Sequence, residues 1–327
     1  LSKDYKYYMK ILAVQNRMGI GDTVIFLPFI KALSKKFNSP ISLLVKENSK
    51  ADQILFQTDY IDKILHLERE GNNNRHKGFT GSLNLIKDIK KYDFDKIVIF
   101  NSSLRFNIIA RLAKVSGIYQ YPLFQKTNQH ITEAPKKFFK EKFDLEVNED
   151  PEIQINDILL SDAIKKFKIK KDQINILLGI GGSGPTKRIP ANIFLNVIKR
   201  LNEVKKCKFY LATGKNTEEQ EILNEILNSE FKDYCISLDN LTIKETLPII
   251  KNCNLSVCND SSFSHLSAAL GIKTITLMAD TPLIYGSYSS KMFPIIPDGE
   301  ETVNHDTLGK EKINPKKIFN KIIEILN

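Results

Sequence analysis

Short apolar runs alternate with segments of helical spacing along the chain. In the first half, the runs predict strands at 10–14, 41–45, 61–67 and 96–100. The helices predicted between them span 23–37, 50–58, 81–91 and 104–113. In the second half, strands are predicted at 174–180, 208–213, 235–237, 255–258 and from 274 onward. The corresponding helices span 158–167, 191–204, 218–228, 243–252 and 315–326. This alternation predicts an α/β protein with doubly wound parallel sheets.

A polar, lysine-rich stretch at 148–172 separates the two series of elements. With 327 residues, of which 42% are hydrophobic, the chain is long enough for two domains. We predict an N-terminal domain at 1–165 and a C-terminal domain at 166–327. The final helix, 315–326, is amphipathic and long enough to pack back on the first domain, while the stretch from 281 to 305 is predicted as loop.

The segment 255–281 predicts a strand, a tight turn, a helix and a second strand. Asp260 is placed to cap the helix, and Gly271 follows its end. Ser261 and Ser262 then lie in the first turn, where free amides, hydroxyls and the helix dipole favour a phosphate. His265 lies one turn further on. The alternative is an ordinary serine-rich cap beside a structural histidine.

Two other loops follow predicted strands. The loop 181–190 has three glycines beside the cations Lys187 and Arg188, which suits a diphosphate as well as a solvated turn. Near the N-terminus, Gly19 and Gly21 allow a close turn that presents the carboxylate of Asp22, which can also serve as a helix N-cap. Because the third glycine of a dinucleotide fingerprint is missing, we predict no bound cofactor.

Basic residues cluster in two connections of the first half. The connection 69–77 carries Arg69, Arg75, His76 and Lys77, and the stretch 125–142, read as a loop, carries several lysines and His130. Loops at the carboxyl edge of such a sheet often hold binding groups, so the first is a candidate for an anionic acceptor. Asp93-Phe94-Asp95 has the letters of a metal-binding motif but precedes a strand, and we interpret it as a solvated turn.

Composition limits the functional classes only in part. The chain has 48 Lys+Arg against 38 Asp+Glu, a formal charge of +10, which suits a phosphorylated substrate, an anionic membrane surface or nucleic acid. Four cysteines without zinc-site spacing are predicted to be reduced. No apolar run approaches the length of a membrane span, and the first eight residues lack the core of a signal peptide, so we expect a cytoplasmic protein.

Three motifs resemble those of glycosyltransferase family 9, the heptosyltransferases of lipopolysaccharide assembly. Residues 260–271 resemble its Asp-Thr-Gly-(two or three)-His-Leu-Ala-Ala-Ala-Leu-Gly signature, with Ser261-Ser262 in place of Thr-Gly. Residues 187–190 are similar to its Lys-x-Trp-Pro segment, with Ile189 in place of Trp. Residues 17–22 resemble its N-terminal Gly-Asp motif. Residues 278–282 depart from the usual Phe-Gly-Pro-Thr.

The resemblance implies a GT-B fold, in which two Rossmann-like domains face a central cleft, and inverting transfer without a metal. It implies that Asp22 is the general base, which a sugar hydroxyl needs. Gly214 followed by Glu218-Glu219 resembles the segment whose acidic residue contacts the ribose, and either glutamate matches. The donor set expected from motif and resemblance together is Lys187, Glu218, Glu219, Asp260, Ser261, Ser262 and His265. The expected acceptor set is Arg17, Arg69, Arg75 and Lys77.

The leading hypothesis is therefore transfer of a heptose, or a related sugar, from an ADP-sugar to a lipopolysaccharide core precursor. The partners would be the nucleotide sugar, a phosphorylated glycolipid and the anionic inner face of the membrane, and not nucleic acid, because no nucleic-acid-binding motif accompanies the charge. A nucleotide-sugar epimerase and a catalytically silent binder remain as alternatives. Acceptor-dependent release of the nucleotide separates the transferase from the epimerase, and Asp22 separates it from the binder.

Overall fold

The computed structural model describes residues 8–17, 19–69, 74–124 and 131–327. His130, the beginning of the basic stretch 125–142 and part of the connection 69–77 lie outside these ranges. The chain divides into two compact units, Leu1–Pro151 and Glu152–Asn327.

The predicted boundary at 165/166 is too late along the chain. The backbone N–H of Ile153 donates to the carbonyl of Ala269 at 2.9 Å, and the Asn252 amide donates to the carbonyl of Leu160 at 3.2 Å. The helix at Asp157–Phe167 is therefore part of the second unit, although the sequence around it resembles a linker.

The first unit contains a five-stranded parallel sheet in the order β3-β2-β1-β4-β5. Its strands are β1 (Ile11–Val14), β2 (Ile41–Val45), β3 (Ile61–His66), β4 (Lys96–Ile99) and β5 (Gly117–Gln120). Its helices are α1 (Ile20–Phe37), α2 (Ala51–Ile54), α3 (Gly78–Tyr92), α4 (Leu104–Leu112) and α5 (Glu133–Phe143).

Each face of this sheet has its own apolar layer. On one face, residues of α3 and α4 pack with β1 and β4 in a mainly aliphatic cluster, including Leu85, Ile89 and Ile109. The other layer is aromatic and joins α1, the end of β4 and α5. There the Phe139 ring lies with its centroid 5.2 Å from that of Phe29 and 6.0 Å from that of Phe100.

The second unit contains a six-stranded parallel sheet in the order β11-β10-β9-β6-β7-β8. Its strands are β6 (Ile174–Gly179), β7 (Cys207–Ala212), β8 (Cys235–Ser237), β9 (Leu255–Asn259), β10 (Thr274–Leu277) and β11 (Met292–Ile295). Its helices are α6 (Asp157–Phe167), α7 (Ala191–Val204), α8 (Thr217–Leu227), α9 (Ile243–Lys251), α10 (Ser262–Ala269) and α11 (Pro315–Leu326).

The final helix, α11, belongs to the core of the second unit. Its inward residues Ile318 and Ile322 are fully buried among residues of α7 and β10. The amphipathic pattern of this helix is thus explained without the first domain, which we had considered as its packing partner.

Three elements of the structure are absent from the predicted series. β5 lies where the sequence pattern predicts no regular structure, and α5 lies largely in the predicted basic loop 125–142. β11 lies in the predicted loop 281–305. Both strands have four residues and lie at a sheet edge, and β11 contains Pro294, which an edge strand tolerates. Among the helices of the described ranges, none combines the length and the apolar character that crossing a bilayer requires.

Replacing Phe139 with Ala tests the aromatic layer. The side chain is fully buried, so Phe139→Ala should destabilise the protein by about 3–5 kcal/mol through lost contacts and an unfilled cavity. Urea denaturation followed by circular dichroism measures this loss. The matched control is Phe79→Ala, because Phe79 is 80% exposed and its truncation should leave stability nearly unchanged. Similar unfolding midpoints for both variants would contradict the assignment of this core.

Candidate active site

In the second unit, the candidate donor site lies where the strand order reverses. The chain runs from β6 to β7 and β8, and then returns to place β9 on the other side of β6. The loops after β6 and β9 therefore diverge at the carboxyl edge of the sheet, where parallel α/β proteins commonly bind ligands. Lys187 follows β6, and Asp260 follows β9.

An ion pair joins these two loops. The Lys187 Nζ lies 2.7 Å from Oδ2 of Asp260, whose side chain is only 4% exposed. Burial is the largest single influence and opposes ionisation of this carboxyl, but the charge and hydrogen bond of Lys187, with smaller contributions from His265 and Thr281, together hold the pKa of Asp260 below its usual value. Asp260 therefore carries its negative charge beside the Lys187 side chain at the start of α10.

Asp260 does not cap α10, contrary to prediction. The N-cap residue is Ser261, whose side chain makes no capping hydrogen bond, and the helix begins at Ser262. Asp260 lies one residue too early, and its carboxylate is held by Lys187 instead. The first-turn amides of α10 are therefore not satisfied by a side-chain cap, which leaves them suited to an anion.

His265 is a buried, neutral neighbour of this pair. Its Nδ1 lies 2.9 Å from the hydroxyl of Tyr288, and the two rings are stacked with centroids 5.6 Å apart. Burial lowers the pKa of His265 to about 4, although the Asp260 charge opposes that shift. The sequence motif predicts His265 but not Tyr288, which lies in a segment predicted as loop.

Glu219 has a different environment from its neighbour Glu218. Its Oε1 accepts a hydrogen bond from the backbone N–H of Gly182 at 2.8 Å, and the side chain is 7% exposed. A Cβ atom at Gly181 or Gly214 would lie 2.5 or 2.3 Å from its carboxylate oxygens. The glycines thus make room for a buried carboxylate that joins the loops after β6 and β7.

Glu218 is exposed and pairs with Arg188, whose Nε also donates to the carbonyl of Gly182 at 2.9 Å. The guanidinium group of Arg188 is therefore engaged by other groups of the protein. Of the two glutamates, Glu218 has the carboxylate that solvent can reach, while that of Glu219 is engaged within the protein. Which of the two contacts a ribose stays a prediction.

The other departures from the family motifs have structural roles. Ile189, at the position of the family's Trp, is fully buried in the core of the second unit. Asp280 is also buried, and its Oδ1 accepts a hydrogen bond from the backbone N–H of Leu308 at 2.8 Å. Asn259, which the sequence analysis missed, anchors the loop after β6 through a 2.8 Å hydrogen bond to the carbonyl of Ile180.

In the first unit, the corresponding reversal of strand order lies between β1 and β4. Asp22 follows β1, but it is not the N-cap of α1. The helix begins at Ile20 with Gly19 at the N-cap position, so Asp22 lies in the first turn, where the helix dipole stabilises its charge. The side chain is half-buried. Asn101, after β4, donates to the Asn16 side chain at 3.2 Å and joins the two loops at this edge.

The predicted basic residues of this unit are not equivalent. Arg69 lines a pocket of about 240 Å³ at the carboxyl ends of β2 and β3, together with Lys46 and Lys50. Arg75 instead pairs with Asp88 on α3, and this hydrogen bond raises its pKa. Lys77 is exposed at the N-cap position of α3. Arg17 donates its backbone N–H to the Gln15 side chain at 3.1 Å.

Arg105 is a basic residue that sequence reasoning missed. It lies in the first turn of α4, donates to the carbonyl of His76 at 2.6 Å, and has its pKa lowered by burial and by the charge of Arg69. His76 is itself buried and contacts Asp88. A cation just after a strand, at the carboxyl edge, is the signal that could have identified Arg105.

Comparison with known proteins shows the family of the chain. The family model of glycosyltransferase family 9 (heptosyltransferase) matches residues 83–295. The chain belongs to glycosyltransferase family 9. It is thus a glycosyltransferase, and the matched range includes Lys187 and the whole of α10.

Individual relatives are distant but cover nearly the whole chain. A lipopolysaccharide heptosyltransferase 1 of Campylobacter coli is 23% identical over 338 residues, covering 92% of this chain and 93% of its own. A family 9 glycosyl transferase from Veillonella parvula superimposes with a TM-score of 0.80 at 18% identity, covering 98% and 97%. E. coli ADP-heptose lipopolysaccharide heptosyltransferase II superimposes with a TM-score of 0.75 at 16% identity, covering 97% and 98%. These superpositions confirm the two-domain fold.

The pKa of His265 leads to a pH test. An unfolded histidine binds a proton below about pH 6.5, whereas the folded one stays neutral until about pH 4. As the pH falls through this window, the unfolded chain gains the proton first, so folding stability decreases. Between about pH 7 and about pH 5 the wild type should lose about 2 kcal/mol more than His265→Gln. Denaturant titrations at both pH values measure this, and an equal pH dependence would show that His265 is not held neutral.

Proposed function

We propose that this glycosyltransferase transfers a heptose, or a related sugar, from an ADP-sugar to a phosphorylated glycolipid precursor of the lipopolysaccharide core. The observation that carries the proposal is the Lys187–Asp260 pair at the start of α10, at the switch point of the second sheet. The names of the relatives support the choice of sugar, nucleotide and acceptor.

In this proposal the diphosphate of the donor binds at the Lys187–α10 region. Its oxygens accept hydrogen bonds from the first-turn amides of α10 and from the Lys187 ammonium, whose three N–H groups can serve both Asp260 and a phosphate. His265, being neutral, can donate one hydrogen bond without adding charge. When the bond between the anomeric carbon and the diphosphate oxygen breaks, the developing negative charge lies beside Lys187.

Asp22 acts as the general base in this proposal. Its carboxylate takes the proton of the acceptor hydroxyl as the hydroxyl oxygen bonds to the anomeric carbon, which inverts the configuration there. Asp22 lies in the first turn of α1, at the carboxyl edge of the sheet where the proposed acceptor would bind.

Charge in the first unit suits an anionic acceptor. Arg17, Arg69 and Lys77 supply cations on loops at the carboxyl edge, and Arg105 adds a partly buried one near Arg69. Arg75 contributes less directly because Asp88 already engages its guanidinium group. The acceptor would lie at the inner face of the membrane, with the enzyme bound peripherally.

A ligand screen tests the donor class. We expect ADP-sugars to raise the melting temperature more than UDP- or GDP-sugars, because at equal concentration the ligand that binds more tightly stabilises the folded state more. Release of ADP only when acceptor is present would then distinguish transfer from epimerisation. The proposal includes metal independence, and activity retained in excess EDTA tests it.

Asp22→Asn should abolish most transfer without weakening donor binding. The amide cannot accept the proton, so kcat should fall by on the order of a hundredfold or more. Steady-state kinetics and calorimetric titration with ADP measure the two effects separately. Wild-type turnover in this variant would remove Asp22 from the mechanism.

Lys187→Ala should weaken diphosphate binding selectively. Loss of a charge-assisted contact lowers ADP affinity by roughly ten- to a hundredfold, whereas adenosine, which lacks phosphates, should bind as before. Calorimetric titration with both ligands measures the difference.

A matched control is Lys206→Ala, which also removes a lysine paired with an aspartate, Asp172, but just before β7 and β6, at the amino edge of the sheet and away from the proposed donor site. A thermal melt of each variant checks folding, because the Lys187 change leaves Asp260 buried without its cation. Equal loss of affinity for ADP and adenosine, or none for ADP, would refute the shared diphosphate site.

A further inference from the structure

The helices α3 and α4 of the first unit expose an unusual number of large apolar side chains. Phe79 is 80% exposed, and four others on the same two helices are 42 to 57% exposed. These residues, here called the apolar ridge, are Phe79, Leu83, Leu104, Ile108 and Leu112. Within α4 they recur every fourth residue, which aligns them along one side of the helix.

The ridge is one continuous surface because the two helices are neighbours on the same face of the sheet. Their inward residues, including Leu85 and Ile109, belong to one core cluster. A 2.9 Å hydrogen bond from Arg105 Nε to Ser82 Oγ joins the helices directly. With the inward sides packed on the sheet, the exposed residues of α3 and α4 point away from it together.

The polar residues around the ridge are mostly cationic. Exposed cations on the two helices are Lys87, Lys90, Lys91 and Arg111. Their single acidic residue is Asp88, which is engaged by Arg75 and His76. Apolar side chains that are flanked by lysine and arginine are the composition that binds an anionic lipid interface.

We propose that the apolar ridge and its cations form the surface with which this protein docks on an anionic lipid bilayer. The side chains of the ridge would enter the headgroup region, and the lysines would lie against lipid phosphates. This inference rests on the peripheral membrane binding of the proposed function and names the surface responsible, and it does not depend on which sugar or nucleotide the enzyme uses.

One end of the apolar ridge lies at the same edge of the sheet as the proposed base. Phe79 and Leu104 lie at the N-terminal ends of α3 and α4, which follow strands and therefore lie at the carboxyl edge of the sheet. Asp22 lies at the same edge. A bilayer bound to the ridge would hold a lipid-anchored acceptor close to the edge that carries the proposed base.

Charge favours lipid over a second copy of the chain. A symmetric dimer through this face would bring two sets of exposed lysines against each other, since a two-fold interface repeats the same patch on both sides. An anionic bilayer instead pairs every cation with a phosphate. A protein partner would need an acidic surface, and lack of binding to pure lipid would point to one.

The first experiment uses the absence of tryptophan from the chain. Phe79→Trp introduces a single fluorophore on the ridge, and Tyr234→Trp introduces one at an exposed position of the second unit. With vesicles of phosphatidylglycerol and phosphatidylcholine, without donor or acceptor, the emission of Phe79→Trp should shift to the blue and be quenched by brominated lipid. The emission of Tyr234→Trp should not change.

The second experiment measures vesicle partitioning of matched charge variants by flotation. Changing Lys87, Lys90 and Lys91 to Gln should lower the partition coefficient by roughly a hundredfold. The control changes Lys136, Lys137 and Lys140 of α5 to Gln, an equal loss of charge from another exposed helix of the unit, and should have a much smaller effect. Ile108→Ser should reduce the binding that remains at high salt, where charge attraction is screened.

Three results would overturn the proposal. These are no binding of the wild type to anionic vesicles at low salt, equal loss of partitioning in the α3 and α5 charge variants, or no blue shift of Phe79→Trp on bound protein. Self-association that disappears in Ile108→Ser would assign the ridge to a dimer instead. Since all assays omit the donor, a failure of the proposed transfer reaction would leave these results unchanged.

Discussion

A buried carboxylate at the carboxyl edge of the second sheet is the constraint on which the candidate site depends. Asp260 is almost fully enclosed and ionised, and such a charge is stable inside a protein only with a partner. Lys187 supplies it across 73 residues of chain. This one contact fixes the loop after β6 against the start of α10, and it keeps an ammonium group next to helix amides that no side chain caps. In the proposed function, a diphosphate would share the Lys187 ammonium with Asp260, with the loop already in position.

Glu219 extends the same principle to the neighbouring loop. Its carboxylate is surrounded by glycines at which any Cβ atom would collide, and it accepts a backbone hydrogen bond from Gly182. The loops after β6, β7 and β9 are thus linked by two buried acidic groups, in addition to the Asn259 hydrogen bond and the core packing of Ile189. Such an arrangement is rigid without filling the space above it, which is what a binding edge requires.

The two faces of the sheet in the first unit are covered in different ways. The aromatic layer around Phe139 is sealed by α1 and α5, whereas α3 and α4 seal the aliphatic layer with their inward sides and remain apolar on their outward sides. Stability alone does not account for an outward apolar ridge, because exposed leucines gain little in water. The carboxyl edge of the sheet, in contrast to both apolar layers, carries polar and charged groups that include Asp22 and Arg105.

The sequence by itself determined the class of fold and most of the strands, because buried parallel strands are continuous apolar runs that local pattern reveals. It also selected Lys187, Asp260 and His265 as candidates, since these lie in short motifs beside glycines and helix starts, and the structure places the three side chains together. It missed β5, β11 and α5, because edge strands are short and α5 is too rich in lysine for its buried face to stand out. Only the tertiary structure decided the partners. Local rules assigned Asp260 and Asp22 to helix caps. In the structure Asp260 pairs with Lys187, which is distant in sequence, and Asp22 lies in the first turn of α1 because that helix begins earlier than predicted. The pairing of Glu219 with Gly182 and the union of α3 and α4 into one exposed surface are likewise contacts between distant segments, which no local pattern encodes.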